Sequence, residues 1–222
     1  MLSAKETELR SRAHEELRDL SRHITTQTQL NAENKKRLSS LEPQSAAYRC
    51  LKETILVLDV QIQKAKQLWN ELLPSEPEIQ RRYKVAISVG SIGIESARVA
   101  ACELPANLDE FTLKQLCAYG GVVPRRDRSG TRQGKDKIGK TGNQHLRTGL
   151  YMAASNSVFI SKRNHEFYTG LRAKGKTHLQ AMVAVIHRLL RQVIAVVKRN
   201  TPWELNPPRK KSEAAISVAA ST

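Results

Sequence analysis

The chain has 222 residues, with 37 Lys/Arg against 21 Asp/Glu and a formal net charge of +16. That length allows one or two domains with a real core. The three widely spaced cysteines, Cys50, Cys102 and Cys117, exclude a disulfide scaffold and a cysteine-paired zinc site.

The charge is unevenly placed. Residues 1–80 carry twelve basic and twelve acidic residues, whereas residues 81–222 carry twenty-five against nine. A neutral N-terminal part and a basic C-terminal part are therefore expected, and the basic part points to nucleic acid. A membrane surface suits it less, because the basic residues cluster in a Gly-rich segment and not along an amphipathic helix. No signal peptide is legible. The best apolar run, Ala181 to Val197, is interrupted by His187, Arg188 and Arg191, so no bilayer span is expected and the location expected is cytoplasmic.

In chain order, a first helix is expected over about 4–38, with Leu17, Leu20, Ile24 and Leu38 on one seam that turns polar at Gln27, Asn31 and Asn34. Pro43 ends it. A second helix over 45–73 carries Tyr48, Leu51, Ile55, Leu58, Ile62, Ala65, Trp69 and Leu72 at alternating spacings of three and four, a coiled-coil pattern. Two arrangements fit: an antiparallel hairpin within one chain, or an arm that makes a homo-oligomer. Pro74-Ser75-Glu76-Pro77-Glu78 marks a boundary, with Ser75 and Glu78 in capping-box positions ahead of a helix to about Ser88. The stretch Ser88 to Ala97 reads as a tight turn between helices, similar to a helix-hairpin-helix element whose amides can hold a phosphate. It has Gly90-Ser91-Ile92-Gly93 where the usual form has Pro-Gly-Ile-Gly.

A short apolar helix then stops at Gly120-Gly121, and the most polar segment of the chain follows. From Pro124 to Arg147 there are eight basic residues, Arg125, Arg126, Arg128, Arg132, Lys135, Lys137, Lys140 and Arg147, and two acids, Asp127 and Asp136. These acids read as salt-bridge partners and not as metal ligands. The segment is too Gly-rich and too charged for a core. Its mutual repulsion is relieved by phosphates. Asn143 stands where it can cap the next helix, and His145 can carry a proton there, orient that helix start or touch phosphate. No strand is compelling, although Ala118 to Pro124 has an extended look. Helices are expected over about 143–161, 165–173 and 178–199, the last behind a Thr177/Gln180 capping box. Leu113, Leu116, Leu146, Leu150, Val183, Ile186, Leu190 and Ile194 are the expected core, and His165, His178 and His187 are expected to be structural. Residues 201–222 read as a disordered tail. The expected architecture is mostly α: a long coiled-coil helical hairpin over 1–74, a compact basic helical domain over 75–200, and the tail.

Several motifs fall in one order: the heptad helix, Ser88-Val89-Gly90-Ser91-Ile92-Gly93, Phe111, Leu116-Cys117-Ala118-Tyr119-Gly120-Gly121-Val122-Val123-Pro124, Ser129-Gly130, Lys137-Ile138-Gly139-Lys140-Thr141-Gly142-Asn143, Leu146-Arg147 and Tyr151-Met152-Ala153-Ala154. This order resembles the C-terminal half of the insertion-sequence transposases related to the Piv and MooV invertases, also called bridge-RNA-guided recombinases. The resemblance is strong over about 84–155 and one of style over 15–80. It implies DNA transposition, DNA as partner, a structured guide RNA as a further partner, and Ser129 as the nucleophile of strand exchange. A serine in that role attacks phosphorus while positive groups steady the phosphoryl oxygens. Arg125, Arg126, Arg128 and Arg132 surround Ser129, and Lys135, Lys137, Lys140, Asn143 and Arg147 complete the nucleic-acid-binding set. The family also carries a RuvC-like nuclease domain with metal-binding acids. Nothing in this sequence corresponds to it, so no metal or other cofactor is expected in this chain. The resemblance then implies a truncated transposase, a short paralogue or one product of a split frame. A non-catalytic nucleic-acid-binding regulator or remnant, and a guide-RNA-binding module, are the alternatives. Few aromatics (three Phe, five Tyr, two Trp) disfavour a base-stacking single-strand binder.

Overall fold

A computed structural model describes residues 11–125, 128–129, 132–133, 137–138 and 141–203; within 124–140 it describes backbone pairing. The expected disordered tail from Glu204 and the expected helix start before Ser11 lie outside the described residues.

The mostly α reading is correct. Helix α1 (Arg12–Leu38) starts behind Ser11, whose hydroxyl accepts from the His14 amide, and α2 (Ala46–Leu72) starts behind Ser45, which accepts from the Tyr48 amide. Such caps satisfy amides that the helix itself leaves open. The heptad seam is the face of α2 that meets α1. Ile55, Leu58, Ile62, Ala65 and Trp69 are buried, and Tyr48, Leu51 and Leu72 are half-buried. Leu17 and Ile24 share a cluster with Ile62, Ala65 and Trp69, while Asn31 and Lys35 reach Asp59. Numbers rise on one helix as they fall on the other, so the pair is an antiparallel hairpin within one chain. The two ends differ in chemistry. The base is apolar, and each buried Leu or Ile there contributes about 1.5–3 kcal/mol. The tip is polar. Asn31 Nδ2 donates to Asp59 Oδ1 at 2.6 Å, while the buried Gln27 Oε1 and Asn31 Oδ1 have no partner among the described residues.

Helix α3 (Pro77–Ile87) follows a 3-10 turn at Leu73–Ser75. The expected Ser75/Glu78 capping box does not form. The Ser75 hydroxyl donates to the Leu72 carbonyl, and the Glu78 carboxylate takes bonds from Arg81 and Arg82 instead. Two guanidiniums within one helical turn outcompete a single backbone amide. Helix α4 (Ile94–Glu103) then packs on α1. Arg98 donates to Ser21 Oγ, and the base cluster that holds Leu17 and Trp69 takes in Ala101 and Cys102. The base of the hairpin is therefore part of the same body as the helices that follow.

Helices α5 (Leu113–Tyr119), α6 (Gln144–Ile160), α7 (Lys162–Ala173) and α8 (His178–Arg199) complete the body. The Thr177/Gln180 capping box is present. Of the expected core, Leu116, Leu146, Leu150, Val183, Ile186, Leu190 and Ile194 are buried and Leu113 is half-buried. Gly149 lets α6 approach α4 closely: a Cβ there would stand 2.8 Å from Val99 Cγ1. By length and composition α8 is apolar enough to cross a bilayer, contrary to the sequence reading. Its apolar residues, Met182, Val185, Leu189 and Val193 among them, form the centre of this body.

The basic segment corrects the expectation of an irregular loop. It forms two short antiparallel ladders: β1 (Pro124–Arg125) with β4 (Lys137–Ile138), and β2 (Arg128–Ser129) with β3 (Arg132–Gln133). The extended chain begins at Pro124, because Ala118 and Tyr119 belong to α5.

Candidate serine hairpin and nucleic-acid interface

Thr112 opens α5 with both halves of a capping box, its side chain accepting from the Gln115 amide while Gln115 accepts from the Thr112 amide. The helix ends at Gly120, and Gly121 at φ +62° turns the chain out of it. The chain comes back at Gly142, at φ +104°, and the Asn143 amide donates to the Tyr119 carbonyl at 2.7 Å. The outgoing and returning backbones touch here. A Cβ on Gly142 would stand 2.7 Å from both Gly121 N and Tyr119 O, and one on Gly121 would run into the Thr141 carbonyl and Arg147 Nη1. Glycine is needed at both positions for two reasons: the left-handed backbone and the absence of room.

Between these glycines lies the hairpin. Arg125 pairs with Lys137, Arg128 with Gln133, and Ser129 with Arg132. Only Gly130 and Thr131 connect Ser129 to Arg132, so Ser129 occupies the distal end of the hairpin with Arg132 opposite it in register. Arg126, Lys135 and Lys140 lie outside the described residues, as do the side chains of Ser129, Arg125, Arg128, Arg132 and Lys137.

The root is held by polar groups that the sequence reading passed over. Glu103, 1% exposed, accepts from Arg22 Nε at 2.5 Å and Nη2 at 2.9 Å, and from Asn143 Nδ2 at 2.7 Å. Tyr119 Oη donates to the Glu103 carbonyl at 3.0 Å. This carboxylate raises the Arg22 pKa above its ordinary value, through the hydrogen bond first. One acid thus ties α1, α4, α5 and the start of α6 together beneath the hairpin. Asn143 also caps α6 as expected, Oδ1 accepting from the Leu146 amide at 3.0 Å. Arg147, in the first turn of α6, is half-buried at this root, and its Nη1 has no partner among the described residues. His187 Nε2 meets the Val122 carbonyl at 2.7 Å, which fastens the outgoing strand to α8. His165 and His178 bond the Val158 carbonyl and Tyr168 Oη.

The glycine turn between α3 and α4, read as similar to a helix-hairpin-helix element, joins those two helices. Ser91 Oγ accepts from the buried Asn164 Nδ2 at 3.3 Å, linking the turn to α7. Glu95 brings a carboxylate to the first turn of α4, paired with Lys66 and Arg98, each at 2.5 Å. Cys102 is buried, and its thiol is pushed up to about 12 by desolvation, which leaves it unreactive. Among the described residues no three His, Cys, Asp or Glu side chains come together as metal ligands.

Residues 86–169 match the model of the transposase IS116/IS110/IS902 family. The matched segment runs from the end of α3 into α7 and contains the whole hairpin with Glu103, Tyr119, Asn143 and Arg147 at its root, but not Arg22 or His187. The pilin gene-inverting protein of Moraxella bovis is 28% identical over 143 residues, 62% of this chain and 43% of that protein. That of Moraxella lacunata is equally similar. An uncharacterized 43.6 kDa protein of insertion element IS110 from Streptomyces coelicolor is 24% identical over 136 residues, 61% of this chain and 32% of the relative. The chain spans less than half the length of these relatives.

Glu103 and Arg22 had no signature in the sequence, being 81 residues apart. Thr112 and Gln115 did: a Thr followed three residues later by Gln is a legible capping box.

Proposed function

We propose that this chain is a DNA-binding part of a transposase or site-specific recombinase, and that Ser129 is its nucleophile. One observation carries the reading: within the family-matched segment, the serine stands at the distal end of a basic hairpin whose root is clamped to four helices. A nucleophile for DNA must reach a phosphate on a duplex, and a core position could not. In the reaction, Ser129 Oγ bonds to phosphorus, the bridging P–O bond breaks, and the departing sugar oxygen takes up a proton as the serine loses one. The reverse step joins a new strand. Arg125, Arg126, Arg128, Arg132, Lys135, Lys137 and Lys140 supply the positive field for the phosphoryl oxygens.

Self-association is a further part of the proposal. It rests on the outer face of α2, where Leu56, Val57, Val60 and Leu68 are exposed opposite the seam that α1 already covers. Binding of a structured guide RNA is the second reading of the same basic surface.

The test is a covalent-adduct assay on end-labelled duplex DNA, with the N-terminal part of a family relative supplied in trans. A denaturant-stable protein–DNA adduct is expected from the unaltered chain and none from Ser129→Ala. Duplex affinity should change by less than about fivefold, since one hydroxyl contributes about 1 kcal/mol. An adduct that survives Ser129→Ala overturns the assignment.

A further inference from the structure

The hairpin does not account for the charge of this chain. Residues 144–203 contain ten Lys/Arg and one acid, Glu166. Elsewhere several acids have cationic partners: Glu78 with Arg81 and Arg82, Glu95 with Lys66 and Arg98, Glu103 with Arg22. On α7 and α8 the position reverses. Among the described residues, Lys162, Arg163, Arg172, Lys174, Lys176 and Arg188 reach no carboxylate, and of the ten cations only Lys198 does, at 3.8 Å.

These cations are gathered on neighbouring elements. The Arg188 guanidinium lies 5.2 Å over the Phe167 ring and donates to the Arg163 carbonyl at 3.4 Å. Burial first, and then the charge of Arg163, lowers the Arg188 pKa; two cations are held close with no anion between them. Arg172 Nη1 donates to the Lys176 carbonyl at 2.7 Å, and Gly175 at φ +77° folds Lys174 and Lys176 into the tight turn before α8. The neighbour of Arg188 on α8, His187, holds the Val122 carbonyl at the hairpin root. One turn further on, Arg191 acts on Cys117 of α5. The positive surface therefore begins at the hairpin root and continues across α8 onto α7.

We propose that α7, the α7–α8 turn and the Arg188 edge of α8 form a second backbone-binding face for duplex DNA, continuous with the hairpin root. The inference rests on the reading that this chain binds duplex DNA, and it places the flank of that duplex. Charge complementarity selects a polyanion, because a face that gathers Lys162, Arg163, Arg172, Lys174, Lys176 and Arg188 around the single acid Glu166 repels itself until phosphates neutralise it. On α7 the Phe167 ring lies under the Arg188 guanidinium and the Tyr168 ring meets His178 edge-on, so this face offers bases little open platform to stack on. Duplex phosphates fit this surface better than an unpaired strand does.

The test compares two variants. In one, Lys162, Arg163, Lys174 and Lys176 become Gln; all four are exposed and none carries an internal ion pair, so the thermal melt should be unchanged. In the other, Arg125, Arg126 and Arg128 become Gln. Binding is titrated against salt on duplex DNA of about 12 and about 30 base pairs, roughly 40 and 100 Å long, and on a duplex RNA of the longer length. Each lost phosphate contact flattens the slope of log K against log salt by about 0.9. The α7 variant should flatten it by about two to three units on the long DNA and by less on the short one. An unchanged slope on the long DNA overturns the second face. If the hairpin variant alone flattens the slope, the second face falls and the hairpin reading stands. If the α7 variant alone does so, the reverse holds. Flattening confined to RNA overturns the choice of DNA.

Discussion

Among the described residues Arg22 and Glu103 form the ion pair that joins the helical hairpin to the hairpin root, and the two partners are unequally buried. Glu103 is 1% exposed, whereas the Arg22 side chain is 30% exposed. Arg22→Ala leaves a buried carboxylate with Asn143 Nδ2 as its remaining side-chain donor. Removing one member of a buried pair costs about 3–5 kcal/mol, and the surviving Asn143 bond places this variant near the lower end. Glu103→Ala leaves an arginine that can turn its guanidinium into water, and it also removes the Asn143 bond, a loss of about 1 kcal/mol. Its cost should be about 2 kcal/mol, the smaller of the two. The double variant should cost less than the two singles together, by about 1–2 kcal/mol of coupling. Urea unfolding followed by circular dichroism gives all three values, provided the slope m stays constant. An equal or inverted order of the singles, or strict additivity, would refute the view that unequal burial governs this pair.

Two further outcomes follow from the packing and the charges. Gly149→Ala should destabilise by about 1–3 kcal/mol through overpacking against Val99, and Val99→Ala in the same chain should recover part of that loss in the thermal melt; no recovery would place the clash elsewhere. Glu78 is held below its ordinary pKa by the Arg81 hydrogen bond first and then by Arg82. Its contribution to stability is therefore complete above the carboxylate range and is lost as pH falls through the lowered value. Glu78→Gln should be less stable than the unaltered chain near neutral pH, and the difference should shrink on acidification; a gap that is constant down to about pH 3 contradicts this pairing.

Much of the helical scaffold was legible, because its signals are local. The α2 seam was readable from spacings of three and four, since apolar positions at that period share one face whatever they meet. The α8 cap was readable because a capping box closes within four residues. The Ser75 and Glu78 pair shows where that logic ends. The pattern was correct, but Glu78 had stronger partners in Arg81 and Arg82. The basic segment was legible as a phosphate-seeking stretch and not as a hairpin. Ser129-Gly130 was legible as a turn, but two-residue ladders need register, and no β-branched alternation announced the strands on either side of it.

By itself the sequence determined the periodic, local and compositional features: which faces are apolar, where helices can begin, and that the positive charge gathers after residue 80. Tertiary structure alone decided which partner each face takes. It closed α2 onto α1 of the same chain, brought Glu103 to Arg22 and Asn143, and set Ser129 opposite Arg132 at the far end of a clamped hairpin. Among the described residues it also left the cations of α7, and Arg188 of α8, without a carboxylate partner. The helix–helix and Glu103 pairings depend on distances between residues tens of positions apart, and no local pattern encodes them. They form because a buried carboxylate, a polar seam and a crowded glycine each have few arrangements that satisfy them, and only the assembled chain supplies one.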